Sequence, residues 1–270
     1  MKIIIALLTL TLNITSLNAN SELDKILAEG KLLRNLEKAS WISTDHFLEN
    51  YQHLAENVSG YTSYIDSIGN INTMFFNKDE PRTVLVNYNF GEKPSPDFII
   101  ADTIPKKASK YQKDLIEIRE NAHQDIYTSE DEFYKVYQDT GFNLIPVILN
   151  NEKSVFILTG SKVSGSVIIG NDYKLEFDVN NKLLNRKKLH SSLLDFPYQS
   201  EKGNIETWHS HSITEFITST DVCTLLLYKE YLSWDKHYVI GNKFVTILNL
   251  STEELYSLPK ELWDNGTNDE

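Results

Sequence analysis

Four short apolar or alternating runs, separated by glycine and asparagine, constrain the fold of this chain more than any other feature. They are Ile145 to Leu149, Val155 to Leu158, Ser166 to Ile169 and Tyr173 to Phe177, with Gly160, Gly165, Gly170 and Asn171 between them. Runs of this length, bounded by turn formers, read as strands rather than helices. Further strand signals lie on both sides. Ile71 to Phe76 and Thr83 to Phe90 flank the polar turn Asn77-Lys78-Asp79-Glu80-Pro81 and predict a hairpin. Residues 182–194 and Ile205 to His211 read as two more strands, and His237 to Ile240 pairs with Lys243 to Leu248 around Gly241-Asn242.

Helical signals interleave with these strands. Leu23, Ile26, Leu27, Leu32, Leu33 and Leu36 recur at helical spacing, with Gly30 marking a break between two short helices. A second helix is expected from Ser43 to Glu56, opened by Ser43-Thr44-Asp45. Others are expected over Lys106 to Asn121, Ser129 to Tyr137, Thr220 to Leu232 and Thr252 to Trp263. Glu132 stands three residues after Ser129, the spacing of a capping box. The expected class is therefore α+β, a mixed α/β chain. A helical and hairpin N-terminal region of unknown role (20–140) precedes a mixed sheet flanked by helices (141–270).

Residues 1–19 have a separate reading. Lys2 precedes an almost wholly apolar run from Ile3 to Leu12, and Ser16-Leu17-Asn18-Ala19 follows. A short positive start, a short apolar stretch and a terminal small residue are the signature of a secretory leader, here cut near Ala19. The run has about half the ~20 residues that a spanning helix needs. A buried core helix is the alternative. No later segment reads as a membrane span, and the expected location is the periplasm or the exterior. Cys223 is the only cysteine, which excludes an intramolecular disulfide. Its setting, Val222-Cys223-Thr224-Leu225, reads as a buried helix face. The net charge of −12 argues against nucleic acid, whose phosphates demand a cationic surface.

One cluster could carry chemistry: Trp208-His209-Ser210-His211-Ser212, followed by Thr218-Ser219-Thr220-Asp221. Residues i and i+2 of a strand share a face, so His209 and His211 present two imidazoles together. Asp221 falls in the first turn of the following helix. Two imidazoles and a carboxylate form a three-donor set that leaves a position for water, the plan of a catalytic zinc site. Each residue also has a plainer reading. Two histidines on a strand can be surface or hydrogen-bonded groups, and an acid in a first turn complements the helix dipole. His190 sits beside Lys187 and Lys188 and reads as solvated, although a sheet could carry it to the site.

Residues 145–250 resemble the JAMM/MPN (JAB) metalloprotease family. Its motif places H-[ST]-H on a strand, then seven residues, then S-x-x-D at a helix start. Here His209-Ser210-His211 is followed by six residues and Thr218-Ser219-Thr220-Asp221, with threonine in place of serine and Ser212 where proline is common. Val155 to Gly160 resembles the family's first strand, and the hairpin after the helix resembles its closing strands. The resemblance implies a zinc ion held by His209, His211 and Asp221. It also implies an oxyanion donor at Thr218, a general base upstream and a peptide or protein substrate. Glu152 is the acid placed nearest that base position; its alternative is an exposed turn acid in Asn150-Asn151-Glu152-Lys153, and Glu176 is a poorer candidate by order. The region also resembles a group of exported bacterial proteins of unassigned activity, through Asn171-Asp172-Tyr173 and Thr220-Asp221-Val222-Cys223-Thr224-Leu225.

Overall fold

The computed structural model describes residues 2–97, 99–198 and 205–267, with side chains described within those spans from residue 21 to 265. The expected leader falls on residues whose side chains lie outside this description. The order is α1 (Lys2–Asn50), a 3-10 turn (Gln52–Asn57), β1 (Gly60–Ile65), β2 (Ile71–Phe76), β3 (Thr83–Asn89), β4 (Ile100–Asp102), β5 (Lys106–Lys107) and α2 (Lys110–Thr128). It continues with β6 (Thr140–Leu149), β7 (Glu152–Ser161), β8 (Ser166–Gly170), β9 (Tyr173–Phe177), β10 (Leu183–Lys188), β11 (Leu193–Pro197) and β12 (Ile205–Ser210). The last elements are α3 (Ser219–Tyr228), β13 (Trp234–Ile240), β14 (Phe244–Asn249), β15 (Glu254–Pro259) and α4 (Lys260–Thr267). The mixed α+β class is as expected. No helix among the described residues is long and apolar enough to cross a membrane.

The strands form separate sheets. One runs β1-β2-β3-β4 with β5 also on β3, a second runs β10-β9-β7-β6, β11 pairs β8, and the fourth runs β12-β13-β14-β15. The expected β2–β3 hairpin is present and antiparallel. In the fourth sheet β12 and β13 are parallel, and α3 makes the crossover between them. A parallel pair requires such a crossover, and it carries the helix start close to the end of the first strand. One core cluster joins Leu33 and Phe47 of α1, Phe75 and Tyr88 of the first sheet, Ile145, Phe156 and Leu158 of the second, and Cys223 of α3. The regions on either side of residue 140 therefore share apolar packing.

Four expectations are corrected. The two N-terminal helices are one: Gly30 lies inside α1, and Ser43 is buried within it rather than capping a new start. Helix α2 begins later than expected, because Lys106 and Lys107 pair with β3 and Ser109 forms the capping box with Gln112. Ser129 to Tyr137 is not a helix. Ser129 closes α2, its hydroxyl bonds Asp131 at 2.5 Å, and Glu132 has a φ of 51°, outside the helical region. Thr252 to Trp263 is a strand and then a helix, because residues 254–259 pair along β14 and satisfy its edge.

Candidate metal centre

Strand β12 alternates as a half-covered strand should, with His209 buried and Trp208 turned out to 64% exposure. His211 lies one residue beyond the strand but keeps its ladder, donating its N–H to Ile240 O at 2.9 Å. Its ring therefore falls on the His209 side, and the two Nε2 atoms stand 2.8 Å apart. Asp221 is fully buried in the first turn of α3. These are the three donors expected from the sequence, and the fold brings them together.

A fourth donor joins them. His190, in the segment between β10 and β11, is buried and places Nε2 2.9 Å from Asp221 Oδ1. His190, His209, His211 and Asp221 each offer one atom to a group whose members all lie within 4.8 Å of one another. This corrects the reading of His190 as solvated. Asp172 stands behind it, with Oδ2 3.6 Å from His190 Nδ1, and is fixed by the Thr159 N–H donating to Oδ1 at 2.9 Å. The β8–β9 turn that delivers Asp172 depends on Gly170, whose φ is +96° and whose missing Cβ would lie 2.5 Å from Ser192 O.

The separations suit an ion. Donors about 2.0–2.1 Å from a tetrahedral zinc lie about 3.3 Å from one another. Here His209 Nε2–His211 Nε2 is 2.8 Å, His190 Nε2–Asp221 Oδ1 2.9 Å, His211 Nε2–Asp221 Oδ2 3.4 Å and His209 Nε2–Asp221 Oδ1 3.9 Å. Asp221 Oδ1 and His190 Nδ1 are both buried without a hydrogen-bond partner. The short His190–Asp221 contact is an ion pair between the protonated ring and the carboxylate. A buried acceptor of this kind is costly unless a cation meets it, which the protonated His190 ring does in the metal-free protein and an ion would do in its place. The group can hold a metal ion.

Electrostatics point the same way. Burial pushes the Asp221 carboxyl up, but His190, His211 and His209 outweigh it and hold the carboxyl well below its ordinary value. Burial lowers His209 to about 4 and His237 to about 3, and it lowers His211 as well, so all three rings are neutral and can offer lone pairs. For His190, burial pulls down, yet the Asp221 and Asp172 carboxylates prevail and raise it to about 9. Burial raises Asp172 to about 6.

Thr218 and Glu152 are placed differently from what the resemblance implies. Thr218 is the N-cap of α3; its hydroxyl donates to Asp221 Oδ2 at 2.7 Å, and its N–H donates to the same oxygen at 2.9 Å. That hydroxyl positions the carboxylate, so it is not a free oxyanion donor. Thr218→Val is expected to cost the metal-free protein about 1–2 kcal/mol in urea denaturation, the worth of an N-cap, while Thr218→Ser keeps most of it. Equal midpoints for the valine and serine variants would show that the hydroxyl does not matter. Glu152 is exposed at the β6–β7 turn, opposite Leu149. Thr159, which touches Asp172, is seven positions along the same strand, so Glu152 lies about 23 Å away at roughly 3.3 Å per residue. The fold does not bring Glu152 to the centre.

Sequence reasoning weighed His190 for the site but preferred a solvated reading, and it gave no role to Asp172 or His237. A usable signal existed for Asp172, because the Asn171-Asp172-Tyr173 segment and the Asp221 helix start meet at this centre. Compared with known proteins, the chain matches no family model, no curated sequence and no solved structure.

Proposed function

We propose that this chain is an exported zinc-dependent hydrolase of peptide or isopeptide bonds, with a JAMM-like arrangement around its centre. The observation that carries the reading is the convergence of one nitrogen from each of three imidazoles and one carboxylate oxygen within 4.8 Å of one another. The parallel β12–β13 pair, with H-x-H ending β12 and Asp221 opening the crossover helix, supports the family likeness. On this reading His209, His211, Asp221 and His190 would hold the ion with a fifth position left for water, Thr218 holds Asp221, and Asp172 faces His190. Zinc supplies Lewis acidity and a nucleophile competent near neutral pH. A small cleft reaches the histidines, lined by Ser191, Ser192, Leu194, Ser210, Ser212 and Ile213. None of these carries a charge, which favours an uncharged group beside the centre.

A second reading has its own observation. Four protein donors fill a tetrahedral shell, the mark of a structural zinc, and Glu152 is remote from it. On that reading the chain is a non-catalytic exported scaffold. Metal analysis and a peptide library separate the two. The hydrolase reading expects about one zinc per chain, and cleavage that a chelator stops and added zinc restores. Bound zinc without cleavage favours the scaffold, and failure to take up zinc sinks both.

A further inference from the structure

Behind His209 the imidazoles continue away from the centre. His209 Nδ1 lies 2.7 Å from His237 Nε2, and His237 Nδ1 lies 2.8 Å from Thr207 Oγ1. The register of the parallel pair produces this line, since Thr207 of β12 sits directly opposite His237 of β13. His237 is fully buried, whereas Thr207 is half-buried at the outer end.

The hydrogen positions follow from the partners. His211 Nδ1 faces Phe216 O at 3.1 Å and Thr214 Oγ1 at 2.6 Å, while the Thr214 hydroxyl gives its own hydrogen to Phe216 O at 2.9 Å. Both partners accept, so His211 Nδ1 carries the hydrogen and its Nε2 is a lone pair. That lone pair faces His209 Nε2 at 2.8 Å. Two lone pairs cannot face each other so closely without a cation. In the metal-free protein His209 therefore donates from Nε2 to His211, and its Nδ1 must accept from His237. With zinc present, His209 Nε2 must be a lone pair, and its Nδ1 must donate to His237. The partner of His209 has to reverse its role.

We infer that the His237–Thr207 pair is a tautomer switch that allows His209 to become a metal ligand. In the metal-free protein the Thr207 hydroxyl donates to His237 Nδ1, and His237 donates from Nε2 to His209. With zinc bound, His209 donates from Nδ1 to His237 Nε2, and His237 donates from Nδ1 to Thr207 Oγ1. Each ring keeps one hydrogen throughout, so the switch takes up and releases no proton. A hydroxyl suits the outer end because it can donate or accept. A carboxylate or carbonyl there would fix one state only. His237 is thus a positioning residue acting through His209. This inference rests on the zinc reading above.

The test uses the full chain, with and without one equivalent of zinc, and reads the histidine tautomers by nitrogen NMR. His237 is expected to carry its hydrogen on Nε2 without zinc and on Nδ1 with it. In parallel, chelator competition measures zinc affinity. His237→Phe is expected to weaken binding about 10- to 100-fold, the usual effect of losing a ligand's outer partner. His237→Gln, whose amide can also accept or donate, is expected to recover most of that loss. A purely structural role would leave the His237 tautomer unchanged on loading. If the wild type binds zinc with no tautomer change, or His237→Phe binds as tightly, the switch is overturned and the zinc reading stands. If the wild type takes up no zinc, the zinc reading itself fails, and the switch with it. Should His237→Phe not fold, the wild-type tautomers alone decide.

Discussion

Raising the pH from 6.5 to 8.5 is expected to tighten zinc binding about 100-fold, because one proton must leave before the ion can enter. That proton sits on His190, whose pKa the Asp221 and Asp172 carboxylates raise, against burial, to about 9. The groups facing it are Asp172, Asp221, His209 and His211. Below about 9 the ion displaces the proton, so apparent affinity gains a factor of about ten per pH unit and levels off above that value. His209 and His211 are depressed and already neutral at these pH values, and Asp221 is already ionised, so none adds a second proton. In the metal-free protein the His190 contribution to stability runs the opposite way with pH. It is complete below the unfolded value of 6.5 and is lost as pH rises through about 9. Stabilisation by zinc should therefore widen over that interval. Chelator competition at five pH values measures the slope; a flat profile would remove His190 from the donor set.

The second large effect concerns Gly30. A Cβ there would lie 2.5 Å from both Cβ and Cγ1 of Val222 and 2.9 Å from Ser219 O. Val222 is fully buried and Ser219 opens α3, so neither can move away freely. Alanine is the better helix former by about 1 kcal/mol, which alone would make Gly30→Ala stabilising. The overlap should outweigh this and leave the variant less stable by about 1–3 kcal/mol, the usual range for overpacking. The same contact seats the ligand helix, because the Ser219 hydroxyl donates to Glu29 Oε2 at 2.6 Å beside it. Urea denaturation of the metal-free protein reads the difference. A neutral or stabilised variant would show that α1 and α3 can part at no cost.

Gly30 also shows where the sequence was legible and where it was not. Its presence was visible, but a glycine that breaks a helix and one that admits a neighbour look alike along the chain. Only the packing of α1 on α3 separates the two. Strands with their own periodicity were legible: Ile71 to Phe76 and Tyr173 to Phe177 match β2 and β9 at both ends. Segments whose state depends on a partner were not. Residues 254–259 become a strand because β14 offers an unpaired edge. The centre divides in the same way. His209, His211 and Asp221 lie on one strand and the next helix, so local spacing reports their shared face. His190 arrives from a segment beyond β10, beside lysines that point elsewhere, and His237 from the neighbouring strand. No spacing rule connects either of them to His209.

All four donors fall within a single stretch, from His190 to Asp221, although they sit on three different parts of the fold. An ion at their centre therefore cross-links the chain to itself and closes the loop that contains β11 and β12. Because the unfolded chain holds no such site, the binding free energy of the ion would add to that of folding. Proteases that need an opened stretch should meet the loaded protein as a poorer substrate there than elsewhere.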